Sequence, residues 1–383
     1  MPSIAIVAGD PSGDLYGAAI ADALRRLVPD LCVWGAGGPR MKATRVELAA
    51  DLSLASAIGI AESSKVVPSL LVSYLRLRSL VARRRPDALV VIDFGAFNRR
   101  LAEFARRKGI RTVYFIPPGS WRRTTRSSAA TARCADLFLT PFPWSAENLR
   151  KVGAVAEYVG HPLLDLAVST ADRHRFLEEV GLDAGGRCVA LLPGSRRPEI
   201  THILPALLNA ADLIVDRMGD VQFVIAAAPA VYEQVLRRLD RRRNGAKVVT
   251  VANRTYDTLA SADLALVASG TATLEAAVLG CPMVVVYRGS APATLEKLLR
   301  GRILEKYIGL PNIIAGEGIC PELVAREATG ERIAAEALRL LDNASSLEEV
   351  KWNLSKVKLQ LGQPGAVQRS ANLIARLAGL TVQ

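Results

Sequence analysis

At 383 residues, the chain is too long for one ordinary hydrophobic core and suits two α/β domains. Its net charge of +12 and pI near 9.8 favour a polyanionic partner, which could be nucleic acid, an anionic lipid surface or a phosphorylated substrate. The five cysteines are scattered, odd in number and without metal-ligand spacing, which indicates buried reduced thiols, and only three histidines argue against a metal site. No run of about 18 uncharged apolar residues predicts a membrane-spanning helix.

Apolar β-branched runs alternate with helical patterns along the first half of the chain. This order predicts parallel strands joined by right-handed crossovers. The chain enters a strand at once, so no signal peptide is expected and the protein is placed in the cytoplasm. The predicted elements are strands at 4–8, 33–36, 88–92, 112–116 and 137–140, and helices at 15–27, 66–85 and after Asn98.

A second series with the same alternation follows a polar stretch at 166–187. The sequence therefore predicts a domain at 1–168, a second domain at 169–345, and terminal helices at 346–383 that return to the first domain. The pattern is read as helical from about residue 321 onward. In this series the predicted strands are 188–192, 221–226, 248–250, 264–267 and 283–287, and the helices are 205–218, 231–241, one from Thr271, 334–341, 347–361 and 366–377.

Nucleic acid is a poor candidate for the polyanionic partner. The basic residues are spread through the helices, with local clusters at 83–85, 122–123 and 241–243. The chain has no basic tail and no basic strand interleaved with aromatic residues, which RNA-binding sheets use. We therefore expect no nucleic-acid partner.

The segment 266–287 carries the most information. An apolar strand ends at Ala268, a turn of small residues opens a helix, and no bulky side chain blocks the unpaired N–H groups of its first turn. Such a helix start favours anions and suits a diphosphate. Glu275 lies one turn into the helix, where a carboxylate can accept hydrogen bonds from ribose hydroxyls. An ordinary strand–turn–helix unit would show the same pattern.

Ligands of open α/β sheets bind beyond the carboxyl ends of the strands, so the loops there are the places to look for chemistry. The first strand ends in 9–14, a Gly-rich loop that is neither a dinucleotide fingerprint nor a Walker loop. Its acidic residues Asp10 and Asp14 would repel phosphate but accept hydrogen bonds from sugar hydroxyls. The alternative is that Ser12 or Asp14 caps the following helix.

Three further loops contain candidate site residues. Asp93 follows a buried strand and, if it is partly desolvated, can remove a proton from an attacking hydroxyl; the alternative is a helix cap. Arg196 follows a Pro-Gly turn and can neutralise charge on a leaving diphosphate, or else form a surface salt bridge with Glu199. Asn312 lies in a turn fixed by proline, which by itself indicates no more than a turn.

Taken together, these loops resemble the lipid-A-disaccharide synthase family over most of the chain. The family's opening motif appears at 7–14, and its other motifs are matched in order at 38–41, 58–62, 92–98, 160–161, 192–196, 268–273 and 310–312. The resemblance implies a GT-B fold, with two Rossmann-like parallel-sheet domains facing a cleft. It also implies transfer of a diacylglucosamine from its UDP conjugate to a lipid monosaccharide 1-phosphate, with a β-1,6 bond and inversion.

The resemblance also assigns roles to residues. Asp93 is the expected general base, and Asp10 and Arg196 match two further positions that are critical for activity. By the same analogy the enzyme needs no cofactor, works at the inner face of the cytoplasmic membrane and forms a homodimer. The residues expected to bind the UDP-sugar are Gly13, Ser195, Ser269, Gly270, Thr271, Thr273, Glu275 and Asn312.

The chain departs from the family pattern at three places. The family's glutamate in the first loop is Asp10 here, a second acidic residue is replaced by Ala96, and a segment with two tryptophans has become 117–121 with Trp121 alone. These loops flank the acceptor side, so a different lipid acceptor is a close variant of the main hypothesis.

The helix at 66–85 agrees with a lipid substrate. Its apolar residues recur at helical spacing, and positive charge surrounds them at Lys65, Arg76, Arg78 and 83–85. A basic amphipathic helix can lie in a bilayer interface, although a helix packed on the sheet gives a similar stripe. The family resemblance favours membrane contact. The residues expected to make it are Val66, Val67, Leu70, Leu71, Tyr74 and Leu75.

Two other functions fit the same sequence. One is a UDP-N-acetylglucosamine epimerase or hydrolase on the same twin-Rossmann scaffold, which would need no lipid surface. The other is a basic peripheral membrane protein with a vestigial nucleotide site, which would bind anionic vesicles without binding UDP.

Overall fold

A computed structural model describes residues 1–52, 63–118, 131–240, 245–288 and 306–381, with the backbone alone at 63–67. Several sequence motifs lie outside these residues: the match at 58–62, most of the altered segment 117–121, and two of the basic clusters, 122–123 and 241–243. The side chains of Lys65, Val66 and Val67 also lie outside them.

The chain forms two compact units. The first comprises the described residues as far as Asp165 together with the segment from Leu361, and the second comprises Leu166–Gln360. The returning segment thus begins at Leu361 rather than at residue 346, because the helix before it packs against helices of the second unit. At the junction within the first unit, the N–H of His161 donates to the carbonyl oxygen of Leu361.

The first unit is built on a seven-stranded parallel sheet with strand order β3-β2-β1-β4-β5-β6-β7. All five residues of β4 are buried, as expected for a strand covered on both faces. Its strands are β1 (Ser3–Ala8), β2 (Cys32–Gly37), β3 (Glu47–Asp51), β4 (Ala88–Ile92), β5 (Arg111–Phe115), β6 (Leu137–Thr140) and β7 (Ala156–Tyr158). Its helices are α1 (Pro11–Leu27), α2 (Pro39–Ala43), α3 (Ser63–Arg84), α4 (Gly95–Arg107), α5 (Pro143–Lys151) and, at the junction, α6 (Leu163–Leu166).

The second unit is built on a six-stranded parallel sheet with strand order β10-β9-β8-β11-β12-β13. Its strands are β8 (Arg187–Leu192), β9 (Val221–Ala227), β10 (Val248–Ala252), β11 (Leu264–Ala268), β12 (Met283–Tyr287) and β13 (Glu322–Val324). Its helices are α7 (Arg173–Glu179), α8 (Arg197–His202), α9 (Leu204–Met218), α10 (Tyr232–Leu239), α11 (Thr255–Ser261), α12 (Thr271–Val278), α13 (Leu310–Ala315), α14 (Gly330–Leu341) and α15 (Ala344–Gln360). The helix of the returning segment, α16 (Ala366–Ala378), belongs to the first unit.

The predicted fold class, two Rossmann-like parallel-sheet units, is confirmed. The prediction that the chain is helical from residue 321 was wrong, because Glu322–Val324 adds a short strand at the edge of the second sheet. Three residues are too few to show a strand pattern in the sequence. Within the described residues, no helix combines the length and apolar character that crossing a bilayer requires.

Candidate active site

The carboxyl ends of β1 and β4 bring Asp10 and Asp93 onto neighbouring loops. These strands pair in parallel with Ala8 opposite Ile92, so each acidic residue follows its strand by one or two positions. The loops are in direct contact, because a Cβ atom on Gly9 would lie 2.2 Å from the Phe94 ring. Glycine is therefore required at position 9 for this close approach.

Asp10 is the N-cap of α1. Its carboxylate accepts a hydrogen bond from the N–H of Gly13 at 3.0 Å, and a Cβ atom on Gly13 would lie 2.5 Å from the same oxygen. The expectation that Ser12 or Asp14 caps this helix is corrected accordingly. Gly13, predicted to contact the UDP-sugar, is buried beneath its own helix cap.

Asp14 has a different structural role. Its buried carboxylate accepts hydrogen bonds from the N–H groups of Gly38 at 2.7 Å, Arg40 at 2.9 Å and Met41 at 3.0 Å. These N–H groups belong to the start of α2 and have no partner within that helix. The family motif at 38–41 therefore supplies the backbone N–H groups that bind the carboxylate of Asp14, a residue of the opening motif at 7–14.

Asp93 has the electrostatics expected of a general base. Burial, reinforced by the negative charge of Asp10, raises the pKa of Asp93 to about 7, against the opposing effect of a hydrogen bond from the Phe94 N–H. A carboxyl group with a pKa near neutrality can take a proton from a hydroxyl far more readily than one near 4. The alternative role as a helix cap is not supported, because Phe94 is the residue that precedes α4 and no side chain caps that start.

In the second unit, the turn between β11 and α12 leaves space for a ligand. Gly270 is exposed, and a Cβ atom there would meet no other atom within 4 Å. Thr271, the first residue of α12, is half-buried. This open helix start is where the sequence predicts the diphosphate.

Two neighbours in the same motif form hydrogen bonds that stabilise the turn. The hydroxyl of Ser269 donates to the carbonyl oxygen of Ile308 at 3.0 Å. The buried hydroxyl of Thr273 donates to the carbonyl oxygen of Gly270 at 2.7 Å and accepts from the N–H of Leu310 at 3.3 Å. Both side chains therefore link the start of α12 to the residues at and just before the start of α13.

Glu275 is half-buried one turn into α12, and its carboxylate accepts a hydrogen bond from the hydroxyl of Tyr256 at 3.3 Å. Tyr256 lies on α11 and was not identified from the sequence. Nothing in its local sequence signals the contact, which depends on how α11 and α12 pack.

Asn312 is fully buried and its amide is occupied by protein groups. Its NH₂ group donates to the carbonyl oxygen of Cys320 and to the carboxylate of Glu322, both at 2.8 Å, and its carbonyl oxygen accepts from the N–H of Cys320 at 2.9 Å. Glu322 in turn accepts from the N–H groups of Ile308 and Gly309. In this structure the Asn312 amide therefore stabilises the loop through Cys320 and Glu322.

The loop after β8 presents the Arg196 guanidinium to solvent. Gly194 adopts a φ of +109°, and a Cβ atom there would lie 2.1 Å from Glu199. The Glu199 carboxylate accepts from the N–H groups of Ser195 at 2.8 Å and Arg196 at 3.1 Å. The backbone N–H of Ser195, a predicted UDP-sugar contact, is therefore already bonded.

The expected salt bridge between Arg196 and Glu199 is present but long. Their side-chain nitrogen and oxygen atoms are 3.9 Å apart, and the Arg196 side chain is 46 % exposed. An exposed pair of this kind contributes little energy and is easily exchanged for another anion. The guanidinium is therefore available to a phosphate group.

Helix α3 has two different apolar faces. Leu77 and Val81 are fully buried, and Leu70 and Tyr74 pack against the same core. Tyr74 makes an edge-to-face contact with Phe97, with ring centroids 5.5 Å apart. Leu70 and Tyr74, predicted to contact the membrane, are therefore half-buried against the core of the first unit.

The other face of α3 is exposed to solvent. Leu71, Val72 and Leu75 are 56 %, 66 % and 51 % exposed. Arg76 and Arg78 follow on the same helix and are also exposed. Val72 was missed by the sequence argument, which followed the stripe that faces the core.

The described residues contain no group of three or more His, Cys, Asp or Glu side chains arranged to hold a metal ion. Burial raises the pKa of the Cys134, Cys188 and Cys320 thiols to about 12, so these thiols stay protonated. The described residues therefore offer neither a metal site nor, at these three positions, a thiolate nucleophile.

Two Rossmann-like parallel-sheet units place the protein in the class with the GT-B fold. Solved structures with the same fold include the UDP-GlcNAc 2-epimerase from Neisseria meningitidis bound to UDP-GlcNAc (TM-score 0.64, 12% identity, 98% of this chain and 100% of that one). Another is the spinosyn rhamnosyltransferase SpnG complexed with thymidine diphosphate (TM-score 0.60, 16% identity, 97% and 100%).

Sequence relatives identify the particular family. The lipid-A-disaccharide synthetase family model matches residues 4–376, so the chain belongs to this family. Lipid-A-disaccharide synthase from Geobacter sulfurreducens is 36% identical over 379 residues, covering 99% of this chain and 98% of the relative. The enzyme of the same name from Myxococcus xanthus is 34% identical over 379 residues, covering 98% and 97%. The predicted family and enzyme class are confirmed.

Proposed function

We propose that the enzyme joins a diacylglucosamine, delivered as its UDP conjugate, to a lipid monosaccharide 1-phosphate through a β-1,6 bond. Membership of the family across nearly the whole chain supports the reaction class. The observation that carries the mechanism is the placement of Asp93 beside Asp10 at the ends of two paired strands, where burial and the like charge raise the pKa of Asp93 to about 7.

The reaction is a single displacement with inversion. Asp93 removes the proton from the acceptor hydroxyl, whose oxygen attacks the anomeric carbon as the bond to the UDP oxygen breaks. The proton passes from Asp93 to solvent, and the departing electron pair stays on UDP. The Arg196 guanidinium and the start of α12 stabilise the negative charge on the leaving diphosphate.

The enzyme reaches its lipid substrates by binding peripherally to the inner face of the cytoplasmic membrane. Leu71, Val72 and Leu75 supply the apolar surface, and Arg76 and Arg78 supply charge for anionic head groups. Transfer of these leucine and valine side chains out of water lowers the free energy by roughly 1.5–3 kcal/mol for each one that becomes fully buried.

An epimerase or hydrolase remains the second candidate, because a UDP-GlcNAc 2-epimerase matches the fold as well as a glycosyltransferase does. Fold similarity at these identities does not distinguish the two reactions. An epimerase or hydrolase would act on UDP-N-acetylglucosamine without any lipid acceptor.

The deciding experiment incubates purified full-length protein with UDP-2,3-diacylglucosamine and the matching monosaccharide 1-phosphate in mixed micelles. We expect a disaccharide 1-phosphate and one equivalent of UDP. Asp93→Asn should lower kcat by roughly 100- to 10,000-fold, the range for loss of a general base, while UDP still binds. UDP release that does not depend on the acceptor would contradict the proposal and favour hydrolysis.

A further inference from the structure

The turn that carries Asp93 has an unusual backbone. Asp93, Phe94 and Gly95 have φ values of +44°, +56° and +49°, which places three consecutive residues in the left-handed region. Two of them carry side chains, and such residues adopt this conformation only where the surrounding structure enforces it. The contacts that hold this backbone conformation therefore set the position of the Asp93 Cβ atom, from which the carboxyl group extends.

Asn98 supplies one set of these contacts. Its side-chain NH₂ group lies 3.0 Å from the carbonyl oxygen of Asp93, 2.9 Å from that of Ile92 and 3.3 Å from that of Val7. Asn98 is completely buried, and its own side-chain oxygen has no hydrogen-bond partner. Leaving a buried side-chain oxygen without a hydrogen bond costs free energy, so the three bonds of the NH₂ group must outweigh that cost.

Tyr114 supplies the second set from β5, the neighbouring strand. Its hydroxyl lies 2.9 Å from the carbonyl oxygen of Asp93 and 3.2 Å from that of Gly95, so one donor spans the turn. The N–H of Asp93 donates to the carbonyl oxygen of Phe115 on the same strand. Burial raises the pKa of Tyr114 well above its usual value, so the hydroxyl remains a donor at every working pH.

We propose that Asn98 and Tyr114 are positioning residues that hold the left-handed turn and thereby keep the Asp93 carboxyl group in its half-buried place beside Asp10. This role rests on the function proposed above. Neither residue donates to the carboxylate itself, since both bind backbone carbonyl oxygens. They act on the base through its backbone, not through its charge.

Loss of these contacts has a specific consequence. When the turn relaxes, the carboxyl group gains water and moves from Asp10, and both changes lower the pKa of Asp93. Among the described residues, the charged and titratable groups that act on this turn are Asp10, on Asp93, and Cys134 and Arg99, on Tyr114. None of these is altered when the Tyr114 hydroxyl is removed.

The test compares Tyr114→Phe with Thr112→Val. Tyr114→Phe keeps the ring, which stacks on Phe138, and removes only the hydroxyl. Thr112 lies on the same strand, is equally buried, and its hydroxyl bonds to Asp136 instead. Both variants lose one buried hydroxyl, so a general loss of stability affects both.

The first measurement is the titration of the Asp93 carboxyl carbon by NMR in aspartate-labelled full-length protein, with Asp93→Asn used to assign the signal. We expect Tyr114→Phe to lower the midpoint by about one pH unit or more toward the free value near 3.9, and Thr112→Val to leave it unchanged. An unchanged midpoint in Tyr114→Phe, or equal shifts in both variants, would overturn the proposal.

The second measurement is kcat for disaccharide formation, which should fall roughly 10- to 100-fold in Tyr114→Phe and stay near the wild-type value in Thr112→Val. Asn98→Ala should behave as Tyr114→Phe does. A wild-type protein that makes no disaccharide would refute the proposed function, whereas the Asp93 titration would still decide the positioning role.

Discussion

The first unit places two carboxyl groups, Asp10 and Asp93, at the ends of adjacent strands, whereas the second unit ends β11 in uncharged small residues around Gly270. In the first unit, burial and the like charge of Asp10 raise the pKa of Asp93, which lies in a left-handed turn. In the second unit, the turn at Gly270 leaves open space at the start of α12. We conclude that substitutions in the first unit should change rate and pH dependence, and those around Gly270 should change UDP affinity.

Arg196 breaks this division, because it lies in the second unit and is proposed to act on the transition state. We expect Arg196→Ala to lower kcat roughly 100- to 1000-fold, with a smaller change in KM, since a charge that develops on the leaving group would lose its partner. Steady-state kinetics with UDP-diacylglucosamine measures both. Arg197→Ala removes the same charge from the next exposed position and should have little effect. Equal losses in the two variants would contradict the assignment.

Gly270 provides the sharpest test of the binding side. A side chain at this position meets no protein atom within 4 Å, and the φ of 166° is accessible to any residue. Gly270→Leu should therefore fold normally and weaken UDP binding by roughly tenfold or more, because the side chain would fill the space predicted for the diphosphate. Calorimetry with UDP checks the affinity, and thermal unfolding checks the fold. Undiminished UDP binding would place the diphosphate elsewhere.

The exposed face of α3 allows a smaller but separate test. Leu71→Gln combined with Leu75→Gln should lower affinity for anionic vesicles roughly tenfold or more and leave the unfolding temperature nearly unchanged. Leu359→Gln, at a 73 % exposed leucine of α15, is the matched control and should not alter vesicle binding. Vesicle affinity is measured by co-sedimentation. An equal loss in the control would mean that general hydrophobicity, rather than this face, sets the affinity.

The sequence predicted the central strands well, because runs such as 88–92 are buried on both faces and read as continuous apolar segments. It missed the edge strands β3, β7 and β13, which are short and partly exposed. The end of each central strand was predictable for the same reason, and with it the positions of Asp10, Asp93 and Arg196.

Side-chain partners were less predictable than positions. Helical periodicity showed that α3 is amphipathic but could not show that Leu70 and Tyr74 face the core while Leu71 and Leu75 do not. Asn312 likewise matched a motif, yet its hydrogen bonds to Cys320 depend on how distant segments meet. Such contacts are set by tertiary packing, which one sequence does not record.

The smallest expected effect concerns the coupling of the two acidic residues. Asp10→Asn keeps an oxygen that can accept from the Gly13 N–H but removes the negative charge that raises the pKa of Asp93. The midpoint of the rising limb of the pH–rate profile should therefore move to lower pH, by less than the shift caused by burial, which is the larger cause. A shift to higher pH would show that the charge of Asp10 does not act as described.

The pH dependence of kcat in the wild-type enzyme tests the central claim most directly. Asp93 must be ionised to accept the proton, so kcat should rise with pH and reach half its plateau near pH 7, where the pKa of Asp93 lies. Asp93→Asn should abolish this limb. A rising limb centred near pH 4, the range of an ordinary aspartate, would contradict the account of a partly desolvated base with a raised pKa.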